Sequence, residues 1–165
     1  MYARVFHRSM VLLLAAGVLA RAGGEPVSDP IAIKAIAEVE QSTVSQDRET
    51  TKMVPAERVV SGDIVMYTLE VRNTAQNSVP KPIVTYPVPE HMIYAPDSAV
   101  GPGSEVTYSV DAGRSFDTPE NLKIQEPGGL VRPATSVDYT HIRWQLKNAL
   151  KGNSVAFLRF RARVK

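Results

Sequence analysis

Cysteine is absent from the 165-residue chain. That excludes a disulfide framework, a thiol nucleophile, haem attachment and any cysteine-based zinc or iron–sulfur site. Histidine is scarce: only His7, His91 and His141 occur. His91 and His141 stand 50 positions apart, and neither sits at ligand spacing from another donor, so no metal centre is expected. No Gly-x-Ser-x-Gly elbow exposes a nucleophile, and no D-x-D-x-D-G loop offers calcium ligands. Helical periodicity is hard to find, and after residue 20 no long apolar run returns, so no transmembrane segment is expected in the mature chain. What is present is ordinary for a globular protein: 44% hydrophobic and 22% charged residues, which argues against wholesale disorder. The length allows one domain, or one domain with a tail.

Residues 1–22 have the order of an export signal. Arg4 and Arg8 give a positive start, and the run from Met10 to Ala20 is apolar. Ala20-Arg21-Ala22 then supplies the small-x-small pattern of a cleavage site near Ala22. The apolar run is too short to span a bilayer, which takes about 20 helical residues. With no cysteine after it, a lipid anchor is excluded. The expectation is a signal peptide over 1–22, a short linker over 23–30 and one domain over 31–165, exported to the periplasm or the cell surface. Three of the 19 basic residues, Arg4, Arg8 and Arg21, lie in the signal, which holds no acid. Cleavage leaves 16 basic residues against 17 acidic ones. The whole-chain pI is therefore no nucleic-acid footprint, and no nucleic-acid partner is expected.

Beyond the linker, apolar and polar residues alternate with period two, the signature of half-buried strands. Ile31, Ile33, Ala35, Ala37 and Val39 share one face of a first strand, although the alanines also permit a short helix. Asp47-Arg48 reads as a turn into Thr50–Val54, and Ser61-Gly62-Asp63 as a turn into the clearest strand. In that strand Val65, Tyr67, Leu69 and Val71 oppose Met66, Thr68, Glu70 and Arg72. Ile83–Tyr86, between prolines, reads as an edge strand or one cut short at both ends. Met92–Tyr94, Val106–Val110 and Val137–Leu146 follow, with a glycine- and proline-rich loop from Pro127 to Pro133. In the last strand, Ser154–Val164, Ala156, Leu158, Phe160, Ala162 and Val164 point inward. The reading is all-β: an immunoglobulin-like antiparallel sandwich of about seven to nine strands, with Tyr67, Leu69, Trp144 and Phe160 locking the sheets.

Several strings carry a resemblance. Val59-Val60-Ser61-Gly62-Asp63-Ile64-Val65-Met66-Tyr67-Thr68-Leu69-Glu70-Val71-Arg72-Asn73-Thr74 resembles the opening of a bacterial family known as the conserved repeat domain, or domain of unknown function 11. Val84-Thr85-Tyr86-Pro87-Val88-Pro89-Glu90 with Tyr94-Ala95-Pro96-Asp97-Ser98-Ala99 is similar to its middle section. Ser109-Val110-Asp111-Ala112-Gly113-Arg114-Ser115-Phe116 is similar to its central hairpin. His141-Ile142-Arg143-Trp144 and the closing Phe160–Lys165 are similar to its end. The likeness covers about residues 55–165. It implies an immunoglobulin-like module of exported and cell-envelope proteins, usually in tandem arrays, and no catalytic residues. This chain has one copy, a serine where the opening turn commonly has proline, and Tyr86 where aspartate is common.

Few residues invite a chemical reading. Ser136, Asp138 and His141 lie close in sequence, but on a strand Asp138 and His141 face opposite sides, against a hydrolytic site. Asp111 and Asp117 flank a hairpin, where Asp111 is expected to cap its own turn rather than bind calcium. Arg159, Arg161, Arg163 and Lys165 recur at every second position and so project from one strand face. They read either as a surface contact for an anion or envelope polymer, or as an exposed face guarded by charge and partly paired to acids such as Glu57 or Glu70. Ile31–Val39 either completes its own sheet or pairs with a neighbouring molecule. No cofactor and no catalysis are expected. The role expected is a structural or accessory protein–protein interaction module of the cell envelope. The alternatives are an appendage or adhesin subunit assembling by strand exchange, and a ligand-binding periplasmic domain.

Overall fold

The computed structural model describes residues 30–45 and 48–165. The expected signal peptide, nearly all of the linker and Asp47 of the expected turn lie outside the described residues. Ten strands form: β1 (Ile31–Ser45), β2 (Arg48–Pro55), β3 (Ile64–Asn73), β4 (Ile83–Pro87) and β5 (Met92–Tyr94). They continue with β6 (Ser104–Ser109), β7 (Lys123–Gln125), β8 (Val131–Pro133), β9 (His141–Leu146) and β10 (Val155–Val164). There is no helix among the described residues, and β1 takes the strand rather than the helical option.

Two antiparallel sheets stack as a sandwich, the fold class expected. One has five strands in the order β2-β1-β3-β10-β5, the other three in the order β4-β9-β6, and β7 and β8 form a separate hairpin. The connections after β3, β4, β5 and β9 cross from one sheet to the other, which places the last strand between β3 and β5. Inward positions follow the period of two. Val65, Tyr67, Leu69 and Val71 of β3 face inward beside Ala156, Leu158, Phe160 and Ala162 of β10. Opposite them lie Val84 of β4, Ile142, Trp144 and Leu146 of β9, and Tyr108 of β6. Tyr67 stacks on its cross-strand partner Phe160 with ring centroids 4.8 Å apart, and Trp144 reaches the same ring from the other sheet at 6.1 Å. Burying each of these large side chains contributes about 1.5–3 kcal/mol, so the seam needs no disulfide.

Asn73, fully buried at the end of β3, ties two loops to the core. Its Nδ2 donates to the carbonyls of Asn77 at 2.8 Å, Leu150 at 2.9 Å and Lys151 at 3.1 Å, while its Oδ1 accepts the Ala75 N–H at 3.0 Å. The same loops meet so closely that a Cβ on Gly152 would run into the Gln76 carbonyl.

Three elements differ from expectation. The first strand continues past Val39 to Ser45 and returns as β2 from Arg48, a hairpin that runs beyond the start of β3. The glycine- and proline-rich stretch folds as the β7–β8 hairpin around Gly128 and Gly129, both with positive φ. And β9 begins at His141, not Val137, because residues 136–138 form a turn closed by Asp138 N–H donating to the Thr135 carbonyl at 2.9 Å.

Candidate interaction surface

The outer face of the five-stranded sheet carries the basic row. Arg159, Arg161 and Arg163 sit across β10 from Thr68, Met66 and Ile64 of β3, and all three are exposed. Lys165 follows in the same alternation, its N–H donating to the His91 carbonyl at 2.8 Å. No carboxylate stands within 4.0 Å of any of the four among the described residues. Glu70, expected as a partner, is held by Arg72 at 2.7 Å, and Glu57 makes no ion pair. Arg161 divides two shallow grooves, one lined by Glu40, Met53, Asp63, Ile64 and Met66, the other by Met66, Asp97, Ser98 and Val100. The face is thus amphipathic, not simply basic. Thr68 is buried there although it points outward, between its cross-strand neighbours Ile36 and Arg159.

The sheet's margin is the second feature. The core reaches β1 at Ile31, Ala37 and Val39 but leaves the stretch between Ile31 and Ala37 uncovered. Ile33 and Ala35 share the inward face of Val71 and Leu69, their partners on β3, yet Ile33 is 44% exposed and Ala35 is exposed too. Strand β2 accompanies only the later half of β1 and stops at Pro55, with one more bond from Ala56 N–H to the Ala37 carbonyl. Alternate residues of a strand bond to opposite neighbours. Ala37 bonds on the β2 side, so the N–H and C=O groups of Ile33 and Ala35 point the same way, where no strand follows among the described residues. A shorter opening lies on β10: Val100 bridges Arg159, but Phe157, two residues earlier and 51% exposed, has no strand beside it there. Proline guards the other sheet, as expected for an edge. Strand β4 is one of its two margins, with Pro82 before it and Pro87 at its end.

The remaining sequence candidates are structural. Asp111 caps its hairpin: its Oδ1 accepts from Ser109 Oγ at 2.7 Å, Arg114 N at 3.0 Å and Ser115 N at 2.9 Å, and Oδ2 from Ser115 Oγ at 2.6 Å. Those bonds, the Ser115 hydroxyl foremost, hold its carboxyl far below the usual range. Asp117 accepts from Thr118 N and Asn121 Nδ2 and does not join Asp111. Asp138, in its turn rather than on a strand, is clamped by Arg132 through two bonds of 2.7 and 2.8 Å, which likewise depress its carboxyl. His141 lies elsewhere, its Nδ1 3.2 Å from Thr140 Oγ1. The Ser136, Asp138 and His141 trio is therefore not assembled. Sequence reasoning missed the open margin at Ile33, because alternation marks an inward face without showing how far the opposite sheet extends. Comparison of the chain with protein-family models, with curated proteins and with solved structures finds no match.

Proposed function

We propose that this chain is an exported, non-enzymatic module of the cell envelope that works by protein–protein contact, through the uncovered margin of its five-stranded sheet. The observation that carries the reading is the pairing of open backbone groups with exposed apolar side chains at Ile33 and Ala35, the combination that strand addition uses. Open edges are a hazard in a protein that acts alone, and natural sheets usually cover or charge them. The signal-like residues 1–22 and the likeness to the conserved repeat domain support the location. The amphipathic face beside Arg161, on the outer side of the same sheet, offers a partner ionic as well as apolar contacts.

A photo-crosslinking amino acid at Ile33, in cells, tests this. Adducts to a discrete envelope protein are expected from that position and not from Gln145 on the three-stranded sheet. Equal labelling from both positions, or none from Ile33, overturns it. A second reading, a subunit that polymerises by exchanging β1, draws on the same marginal position of β1. Size-exclusion chromatography with light scattering separates the two: concentration-dependent polymers favour exchange, a single monomeric species the accessory module.

A further inference from the structure

Three tyrosines meet at one end of the sandwich, away from the margin just described. The hydroxyls of Tyr94 and Tyr108 are 2.9 Å apart, and the ring of Tyr139 stacks on that of Tyr108 with centroids 4.6 Å apart and planes 19° off parallel. Tyr94 also accepts the Ala99 N–H at 3.0 Å. Two hydroxyls bring two hydrogens, and the contact between them uses one; the other has no protein acceptor whichever way the pair is oriented. A cleft of about 290 Å³ opens beside the trio, walled by Pro96 and Pro119. Thr135 and Ser136 add only hydroxyls, so Asp97 is the one charged residue lining it, and its carboxylate makes no ion pair or hydrogen bond among the described residues. The nearby guanidinium of Arg132 is already spent on Asp138 and Glu126.

Asp97 also borders the groove that holds Arg159 and Arg161, and neither pairs with it among the described residues. Stacked aromatic rings, an unpaired carboxylate and no cation among the lining residues make a site with apolar walls that attracts organic cations. We propose that this cleft binds a small organic cation, an alkylammonium or guanidinium group, seated against Tyr139 and Tyr108 with Asp97 as its counter-ion. The Tyr139 hydroxyl reports the same field: burial foremost, then Tyr94, Glu120, Asp138 and Asp97, push its pKa upward. The group arrives either as a free small molecule or on an arginine or lysine side chain of a partner. The inference stands apart from strand addition at Ile33, and either can fail without the other.

The test is a calorimetric and NMR titration of the purified protein at low ionic strength with tetramethylammonium, N-acetylarginine amide and, as neutral control, tert-butanol. Saturable binding of one or both cations is expected, with movement of the Tyr108 and Tyr139 ring signals and weakening by salt. Tetramethylammonium binding alone assigns the free small molecule, and arginine amide binding alone the partner side chain. Asp97→Asn and Tyr139→Ala are each expected to weaken binding about five- to tenfold. Tyr139→Phe, which keeps the ring, is expected to change it less than about twofold. Asp97 is exposed and outside the core, so Asp97→Asn reads out even where Tyr139→Ala fails to fold. Equal binding of tert-butanol, loss of binding in Tyr139→Phe (which would make the site one for hydroxylated ligands), or no binding of either cation overturns the proposal.

Discussion

At the scale of single residues, the polar groups that matter most to the fold are those that sequence makes look ordinary. Asn73 reads as a strand-ending asparagine, yet it satisfies three carbonyls and one N–H from inside the protein. Replacing it by the similarly sized leucine takes the partner from the Asn77 carbonyl and the Ala75 N–H, while the Leu150 and Lys151 carbonyls keep the N–H groups of Val79 and Ser154. A buried unsatisfied group costs about 1–3 kcal/mol. Asn73→Leu is therefore expected to lower stability by about 2–4 kcal/mol in a denaturant titration, with an unchanged slope. The two capped carboxylates predict an acid dependence. Asp111 and Asp138 both titrate lower in the folded protein than in the unfolded chain, so their contribution is complete above the unfolded value of about 4 and fades as pH falls through the folded values. The denaturation midpoint should stay level from pH 7 to about 5 and drop below about 4. Asp111→Asn and Asp138→Asn should each be less stable at neutral pH and lose less on acidification, in the same titration repeated across pH.

At the scale of elements, legibility follows burial on one face. Strand β10 alternates over its whole length because one side packs on Trp144 and its neighbours while the other is open, and every inward position read from sequence from Ala156 to Ala162 is buried. The asymmetry is testable: Phe160→Ala should cost about 3–5 kcal/mol, whereas Arg161→Ser, one residue away on the open face, should change stability by less than about 0.5 kcal/mol. Chemical denaturation of both variants decides it. Where burial stops, the pattern stops. The β1–β2 hairpin beyond Val39 runs through Glu40-Gln41-Ser42-Thr43, polar on both faces, so alternation could not show the strand continuing to Ser45. The strands β7 and β8 have three residues each, too few for a period of two to register against the turn residues between them. The start of β9 was misread because Asp138, which looks like a strand residue among Val137, Tyr139 and Thr140, bonds the backbone and hydroxyl of Thr135 and fixes a turn instead. The arginine row itself was visible at every position; the grooves on either side of Arg161 were not, since they are made by residues from separate strands.

At the scale of the whole molecule, five strands lie over three, and the mismatch sorts the chain into a sealed part and an open part. Strands β3 and β9, and β10 from Arg159 onward, have strand neighbours on both sides and the opposite sheet across the core. Their amides should exchange with solvent only when the whole protein unfolds. Ile33 and Ala35 have β3 on one side and no strand on the other among the described residues, and their side chains lose little on exposure because they are already exposed. Opening there needs far less than global unfolding. Hydrogen-exchange mass spectrometry should accordingly find peptides from Ile33 to Ile36 exchanging orders of magnitude faster than those from Val65 to Val71 or Arg159 to Ala162. A strand seated along the margin would bond the open N–H groups of Ile33 and Ala35 and bury their side chains. Protection should then rise in the first half of β1 when a partner binds, with little change in β9, which already exchanges at the global limit. Uniform protection across β1 and β3 in the isolated protein would mean that the margin is closed by the chain's own residues, and contact through it would then have no structural basis.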